Sequence, residues 1–206
     1  MNVGILLFDD VQVTDFTGPL DVFLVASRVG QEPGAEPRHN VFTLAVSAQV
    51  SCAGGLVVNI DHGLDGHPPI DLLVVPGGTG TRREENNTAL IDWIRTTAEA
   101  TEITASVCTG ARLMAKTGLW DGLEVTTHWN SIEFLRDTYP ALNVMEGVRY
   151  VDAGKFVSSA GITAGIDMAL HLVERLHGLE HANLTARLLE YDYWEGYSRA
   201  PASAAP

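Results

Sequence analysis

Cys108 is the residue whose setting points most directly to chemistry. It lies in Ser106-Val107-Cys108-Thr109-Gly110, where a β-branched stretch over 102–107 gives way to a helical pattern that opens on small residues. A thiol at a strand-to-helix turn faces free backbone N–H groups and the positive end of a helix dipole. That setting is expected to lower the thiol pKa and favour the nucleophilic thiolate. The competing reading is a buried cysteine that packs as a small hydrophobe. Thr109-Gly110 directly after it favours the reactive one.

Asp15, in Val13-Thr14-Asp15-Phe16-Thr17-Gly18-Pro19, is the candidate acid. It could reach Cys108 if the first strand neighbours the cysteine strand, and it reads equally well as a helix N-cap. A carboxylate beside a thiolate is disfavoured, so one member of such a pair should keep a proton. Gly77-Gly78-Thr79-Gly80 follows an apolar strand, and its N–H groups could approach an anion or developing charge. It is not a Walker loop, because no Gly-Lys-Ser/Thr follows; taken alone, it is a tight turn. His128, in Thr126-Thr127-His128-Trp129, could serve as a base for Cys108, against the more ordinary role of a structural hydrogen-bonding histidine. Arg112 reads as a solvated helix position and Cys52 as structural. His177 and His181 have i, i+4 spacing, but Gly178 breaks the pattern and no third ligand is evident, so no metal site is expected. The small residues of Gly161-Ile162-Thr163-Ala164-Gly165-Ile166-Asp167 read as a close-packing stretch or a pocket wall.

These groups need a scaffold, and the apolar pattern supplies one. Strands are expected at 3–8, 40–46, 71–75, 102–107, 124–127 and 156–160, with a small strand or hairpin arm at 56–60. Helices are expected at 15–26, 88–98, 109–117, 163–176 and 180–193. Gly30 to Pro37 reads as an exposed loop. Alternating strands and helices argue for an α/β sandwich with a mainly parallel sheet, whose sites lie beyond the carboxyl ends of the strands. Residues 1–198 form one domain in this reading, and 199–206 a flexible tail.

The chain has 206 residues, 13 basic against 26 acidic, for a formal charge of −13. So acidic a chain argues against nucleic-acid binding. No run of about 18 apolar residues marks a membrane span. Met1 to Phe8 lacks a basic n-region and reads as a strand rather than a signal peptide. With two cysteines no disulfide framework is expected, and the default compartment is the cytoplasm.

Taken in order, Gly18-Pro19-Leu20-Asp21, Val75-Pro76-Gly77-Gly78, Ser106-Val107-Cys108-Thr109-Gly110, Thr126-Thr127-His128-Trp129 and Gly161 to Asp167 resemble the DJ-1/PfpI (ThiJ) superfamily from Val3 to about Tyr191. The resemblance implies a flavodoxin-like three-layer sandwich, a cysteine at a strained strand-to-helix turn and a homodimer. Two branches carry these strings: isocyanide hydratases, and the sensor domains of AraC-type regulators. Asp15, Cys108-Thr109 and Leu189-Glu190-Tyr191 look like the hydratase branch, and the end at Pro206 leaves no room for a helix-turn-helix domain. Asp192 to Tyr197 departs from the proline-rich tail of that branch. The resemblance therefore implies a small-molecule substrate, Cys108 and Asp15 as catalytic pair, Gly78, Thr109 and Ile162 around the substrate, subsidiary roles for Gly77 and His128, and no cofactor. An amidase or glyoxalase-like hydrolase, and an oxidation- or ligand-sensing module, are the alternatives.

Overall fold

The computed structural model describes residues 1–32 and 34–191. In chain order the elements are β1 (Asn2–Leu6), α1 (Val13–Ala26), β2 (Asn40–Ala45), β3 (Gln49–Ser51), β4 (Val57–Asn59), β5 (His62–Gly63), β6 (Leu72–Val75), α2 (Thr81–Glu84), α3 (Thr88–Ala100), β7 (Ile103–Val107), α4 (Gly110–Thr117), β8 (Glu124–Val125), α5 (Ile132–Thr138), β9 (Asn143–Val144), β10 (Tyr150–Ala153), β11 (Phe156–Ser159), α6 (Ala164–His177) and α7 (Leu179–Leu188). Seven strands form the central sheet in the order β10-β11-β7-β6-β1-β2-β5. Every neighbouring pair is parallel except β10 with β11. Helices α1, α6 and α7 pack together, as do α2, α3 and α4, and the two groups flank the sheet. The α/β class with a mainly parallel sheet is thus the observed one.

Burial explains the central strands. All four residues of β6 and all five of β7 are buried. A strand covered on both faces has no polar side to show, hence the continuous apolar run Leu72-Leu73-Val74-Val75; in β7, Ile103, Ala105 and Val107 alternate with the small buried hydroxyl residues Thr104 and Ser106. Because parallel strands cannot be joined by tight turns, each crossover places a loop at a carboxyl end. The loops after β1, β6 and β7 therefore meet at one edge of the sheet.

Several expected elements differ in detail. Helix α1 starts at Val13, two residues earlier than expected. The arm at 56–60 is β4, and it pairs antiparallel with β3 in a separate hairpin. The expected strand 124–127 is only Glu124–Val125, paired in parallel with β9 outside the central sheet. Thr126 and Thr127 turn away from any ladder because their groups bond elsewhere: the Thr126 N–H donates to Ser158 Oγ at 2.8 Å, and the Thr127 hydroxyl to the Cys108 carbonyl. The last helix, expected to run to Tyr193, ends at Leu188, and Glu190 takes φ 50°, which no helix continues. The expected domain end at 198 and the tail at 199–206 lie outside the described residues. Within the described residues no helix is long and apolar enough to cross a membrane.

Arg112 overturns its reading as a solvated position. Its side chain is 9% exposed, and Nε and Nη2 donate to Glu85 Oε2 and Oε1 at 2.8 and 2.9 Å. The guanidinium also lies 3.5 Å from the centre of the Phe134 ring. A bidentate fork stacked on an aromatic face suits arginine alone. It fastens α4, the helix after Cys108, to the segment after α2. Removing one partner of such a pair leaves an uncompensated buried charge. Glu85→Ala is therefore expected to cost about 2–3 kcal/mol, somewhat less than a fully buried pair because Glu85 keeps some exposure. Urea unfolding measures it; a loss under about 0.5 kcal/mol, as for an exposed pair, would return Arg112 to the solvent.

Candidate active site

Between the end of β7 at Val107 and the start of α4 at Gly110, two residues reverse the chain. Cys108 does so at φ 56°, in the left-handed region that side chains other than glycine seldom occupy. Its surroundings hold it there. The Cys108 N–H donates to the carbonyls of Ser159 and Ala160, both at 3.2 Å. Its carbonyl accepts the Thr127 hydroxyl at 2.8 Å. The first two contacts exist because β11 runs beside β7 with Ser159 opposite Val107. The Cys108 residue is 6% exposed, and Asp15 is fully buried.

Asp15 reaches the cysteine by a route that differs from the one expected. Strand β6 lies between β1 and β7, so the two strands are not neighbours. The carboxyl instead crosses the end of β6, and the residue at the crossing is Gly77. A Cβ there would lie 2.5 Å from the Thr109 nitrogen, 2.6 Å from Thr109 Oγ1 and 2.8 Å from Asp15 Oδ2. Real Cβ atoms do not come so close, so any other residue would push the pair apart. The Gly77 N–H donates to Asp15 Oδ2 at 3.0 Å. Asp15 is the third residue of α1 rather than its N-cap, which is Gln12. Its other oxygen, Oδ1, is buried without a hydrogen bond of normal geometry among the described residues. The Cys108 thiol and the Ile162 N–H lie within interaction reach of the carboxyl.

The electrostatics follow from this burial. Desolvation pushes the Asp15 carboxyl up to about 7, against the opposing pull of the Cys108 thiol and the N–H groups of Gly77 and Ile162. Burial, and then the Asp15 charge, push the Cys108 thiol up to about 12, although the N–H groups of Thr109 and Ile162 draw it down. The expectation of a lowered thiol pKa is therefore reversed, since burial and an adjoining carboxylate outweigh two N–H groups. The expectation that one member keeps a proton describes this geometry: above neutral pH the pair carries one negative charge and one proton between two atoms.

Around the pair, Thr109 turns its N–H to the sulfur. Its hydroxyl closes onto Gly78, accepting the Gly78 N–H at 2.9 Å and lying 3.1 Å from the Gly78 carbonyl. The Gly78 N–H is thus engaged within the protein. Ile162 stands at φ 55°, the residue 37% exposed, and its N–H is among the groups that draw down both pKa values. His128 sits behind this segment: its ring packs on Gly161, where a Cβ would come 2.1 Å from Cδ2. The His128 Nδ1 is 2.7 Å from Asn130 Oδ1, and among the described residues no hydrogen bond joins it to Cys108 or Asp15. Its neighbour Trp129 is 77% exposed. Thr127, Ser159 and Ala160, which hold the cysteine turn, were not singled out from sequence. Their contribution runs through backbone atoms and a hydroxyl, so residue type carries little sign of it.

Among the described residues, no three His, Cys, Asp or Glu side chains are gathered so as to hold a metal ion. His177 Nε2 meets His39 Nε2 at 3.0 Å, and His181 Nε2 meets the Ala26 carbonyl at 2.8 Å. Cys52 is a free, buried cysteine.

Comparison with known proteins fits this geometry. The DJ-1/PfpI family model matches residues 1–175. The chain is 35% identical over 191 residues to isonitrile hydratase of Pseudomonas putida, covering 93% of this chain and 78% of that protein. It is 28% identical to the HTH-type transcriptional regulator GbdR of Pseudomonas aeruginosa over 93% of this chain, which spans 51% of the regulator. Among solved structures, a ThiJ/PfpI family protein from Pseudomonas syringae superposes with a TM-score of 0.81 at 23% identity, over 100% of this chain and 81% of that one. An AraC family transcriptional regulator from Pseudomonas putida does so at 0.75 and 19%, over 91% of this chain and 98% of that one.

The Asp15 shift has a sign that can be tested. A carboxyl whose folded pKa lies near 7 rather than 3.8 keeps a proton that the unfolded chain releases between those values. Its contribution to stability is fully present below about pH 4 and is lost as pH rises through about 7. Asp15→Asn is therefore expected to raise Tm at pH 8 and to leave it nearly unchanged at pH 4. The same substitution removes the charge that holds the thiol up, so the pH midpoint of Cys108 alkylation by iodoacetamide should fall. An unmoved midpoint would mean that the carboxyl and thiol do not share a proton.

Proposed function

The chain belongs to the DJ-1/PfpI family, and we propose that it is a cysteine-dependent hydratase that converts an isocyanide to an N-formamide. The observation that carries this reading is the buried Asp15–Cys108 pair, a nucleophile and a proton donor facing one reaction centre with a single proton between them. The 35% identity to an isonitrile hydratase supports the choice of substrate class.

An isocyanide, R–N≡C, has a terminal carbon that accepts a nucleophile and then needs a proton. In the proposed sequence the shared proton first moves from the Cys108 sulfur to the Asp15 carboxylate, and the pair reacts as thiolate and acid. The sulfur bonds to the terminal carbon, and that carbon takes the Asp15 proton, leaving a thioimidate and an Asp15 carboxylate. Water then adds: its oxygen bonds to the same carbon, and the proton it sheds is relayed by Asp15 to the nitrogen. The hydroxyl of the resulting tetrahedral adduct returns its proton to Asp15 as the C–S bond breaks. The formamide R–NH–CHO leaves, and thiolate and acid are restored. The N–H groups of Thr109 and Ile162 favour the thiolate at both ends of the cycle. A carboxyl held near 7 suits this alternation of donor and acceptor, because neither form is strongly disfavoured at neutral pH. In this reading the acting form is a homodimer, its substrate is a small molecule, and no cofactor takes part.

The kinship with regulators supports a second reading, a domain that binds a small molecule and signals without turning it over. Turnover separates the two. Wild type is expected to convert a simple alkyl or aryl isocyanide to its formamide, identified by mass spectrometry. Cys108→Ala should abolish the reaction, and Asp15→Asn should lower it by about 10²–10⁴-fold, the range for a general acid–base. Activity that survives Cys108→Ala would end the covalent mechanism. Binding of the isocyanide without conversion would favour the sensing reading.

A further inference from the structure

Ile162 takes φ 55° two residues after Ala160, whose carbonyl accepts the Cys108 N–H at 3.2 Å, and its own N–H is among the groups that draw down the pKa values of Asp15 and Cys108. A residue in the left-handed region persists only where its neighbours overdetermine it. One residue brackets the segment from both ends, by its backbone before the turn and by its side chain after it. The Arg149 carbonyl accepts the Ala160 N–H at 2.9 Å, just before the strained turn. The Arg149 guanidinium reaches Thr163 Oγ1, just after it, at 3.4–3.5 Å. The firmer hold of the same guanidinium is on Asp167, where Nε and Nη2 both donate to Oδ2. Asp167 is 6% exposed and lies in the first turn of α6, the helix that the strained turn begins. Its other oxygen, Oδ1, accepts the Tyr191 hydroxyl at 2.9 Å. Burial, with Asp167 alongside, pushes the Tyr191 phenol up to about 12, so it stays a donor across the working pH range.

We infer that Arg149 and Asp167 are positioning residues for the cysteine chemistry. Locked by Tyr191, they fix the Ala160–Thr163 turn so that the Ile162 N–H stays aimed at Cys108 and Asp15. The fork-shaped guanidinium suits the task, because it joins α6 to the turn through two donors on one oxygen while Tyr191 saturates the other. The inference rests on Cys108 being the reactive group of the proposed function. It adds a chain of polar contacts that runs from Tyr191, after α7, to Thr163, the residue that follows Ile162.

The test reads the thiol directly, without an isocyanide. The pH midpoint of Cys108 alkylation by iodoacetamide is compared among wild type, Arg149→Met, Arg149→Lys, Asp167→Asn and Tyr191→Phe, with Tm measured for each. If the network aims the Ile162 N–H, losing it removes a donor that favours the thiolate. The midpoint then rises in Arg149→Met and Asp167→Asn, and rises less in Tyr191→Phe. Where hydration is observed, kcat falls about tenfold or more while KM is held. A role confined to stability would lower Tm and leave the midpoint at the wild-type value, and that result overturns the inference. Should Arg149→Met fail to fold, Arg149→Lys and Tyr191→Phe decide: the first keeps the charge without the fork, the second keeps the ring without the donor. Wild-type midpoints in both overturn it. Absence of hydration by wild type would count against the proposed substrate, whereas the alkylation midpoints would still decide the positioning role.

Discussion

Two ionisable groups buried side by side cannot both carry charge, and much of this protein's architecture can be traced to keeping them together. The Asp15 carboxyl follows β1 and the Cys108 thiol follows β7, with the whole width of β6 between them. They meet only because Gly77 follows the end of β6, where no Cβ stands in the gap and the backbone N–H holds Asp15. Burial then raises both pKa values, since each ionised form loses its hydration. The result is one mobile proton in a dry place. The same burial that makes the pair chemically useful makes the carboxylate a burden on stability at high pH.

Strain is concentrated in the same place. Cys108 and Ile162 both sit in the left-handed region, and they face each other across the ends of neighbouring strands β7 and β11. Neither conformation is favoured locally by its residue type. The parallel register of the two strands lets the Cys108 N–H bond to the carbonyls of Ser159 and Ala160, and so ties one strained turn to the other. The flanking supports are polar and specific: the Thr127 hydroxyl on the Cys108 carbonyl, Arg112 with Glu85 behind α4, and Arg149 with Asp167 behind the second turn. The apolar core supplies the frame, and these polar contacts tie the segments around the site to it.

The family's two outcomes, catalysis and sensing, call for the same local physics. A buried thiol with a proton partner and backbone donors can add to an electrophile, and the same site can bind a small molecule and transmit its presence. What distinguishes them is whether the proton can move from carboxyl to substrate and back within one cycle. Asp15 is held near neutrality in the first turn of α1.

The parallel sheet was legible because short strand-like stretches alternate with helix-length segments, and a strand buried on both faces is apolar throughout, as Leu72 to Val75 is. Cys108 stood out by its place at a strand-to-helix turn before Thr-Gly, whereas Asp15 read equally well as a helix N-cap, and its meeting with Cys108 across β6 is a tertiary fact that residue type does not display. The short edge pairings at 49–51, 62–63 and 143–144 were not, since two or three residues leave no period to read. Arg112 looked solvated because its position on a helix says nothing of Glu85 and Phe134, which other parts of the chain bring to it. The thiol pKa went the other way from expectation for a related reason. A helix terminus is a local feature that the sequence displays, whereas desolvation and a carboxylate arriving from another strand belong to the assembled molecule. Sequence alone therefore determined the fold class, through periodicity, and singled out Cys108 and Asp15 as candidates, through residue chemistry. Only the tertiary structure decided where the proton rests and which backbone donors face it, because those depend on distances between segments remote in the chain.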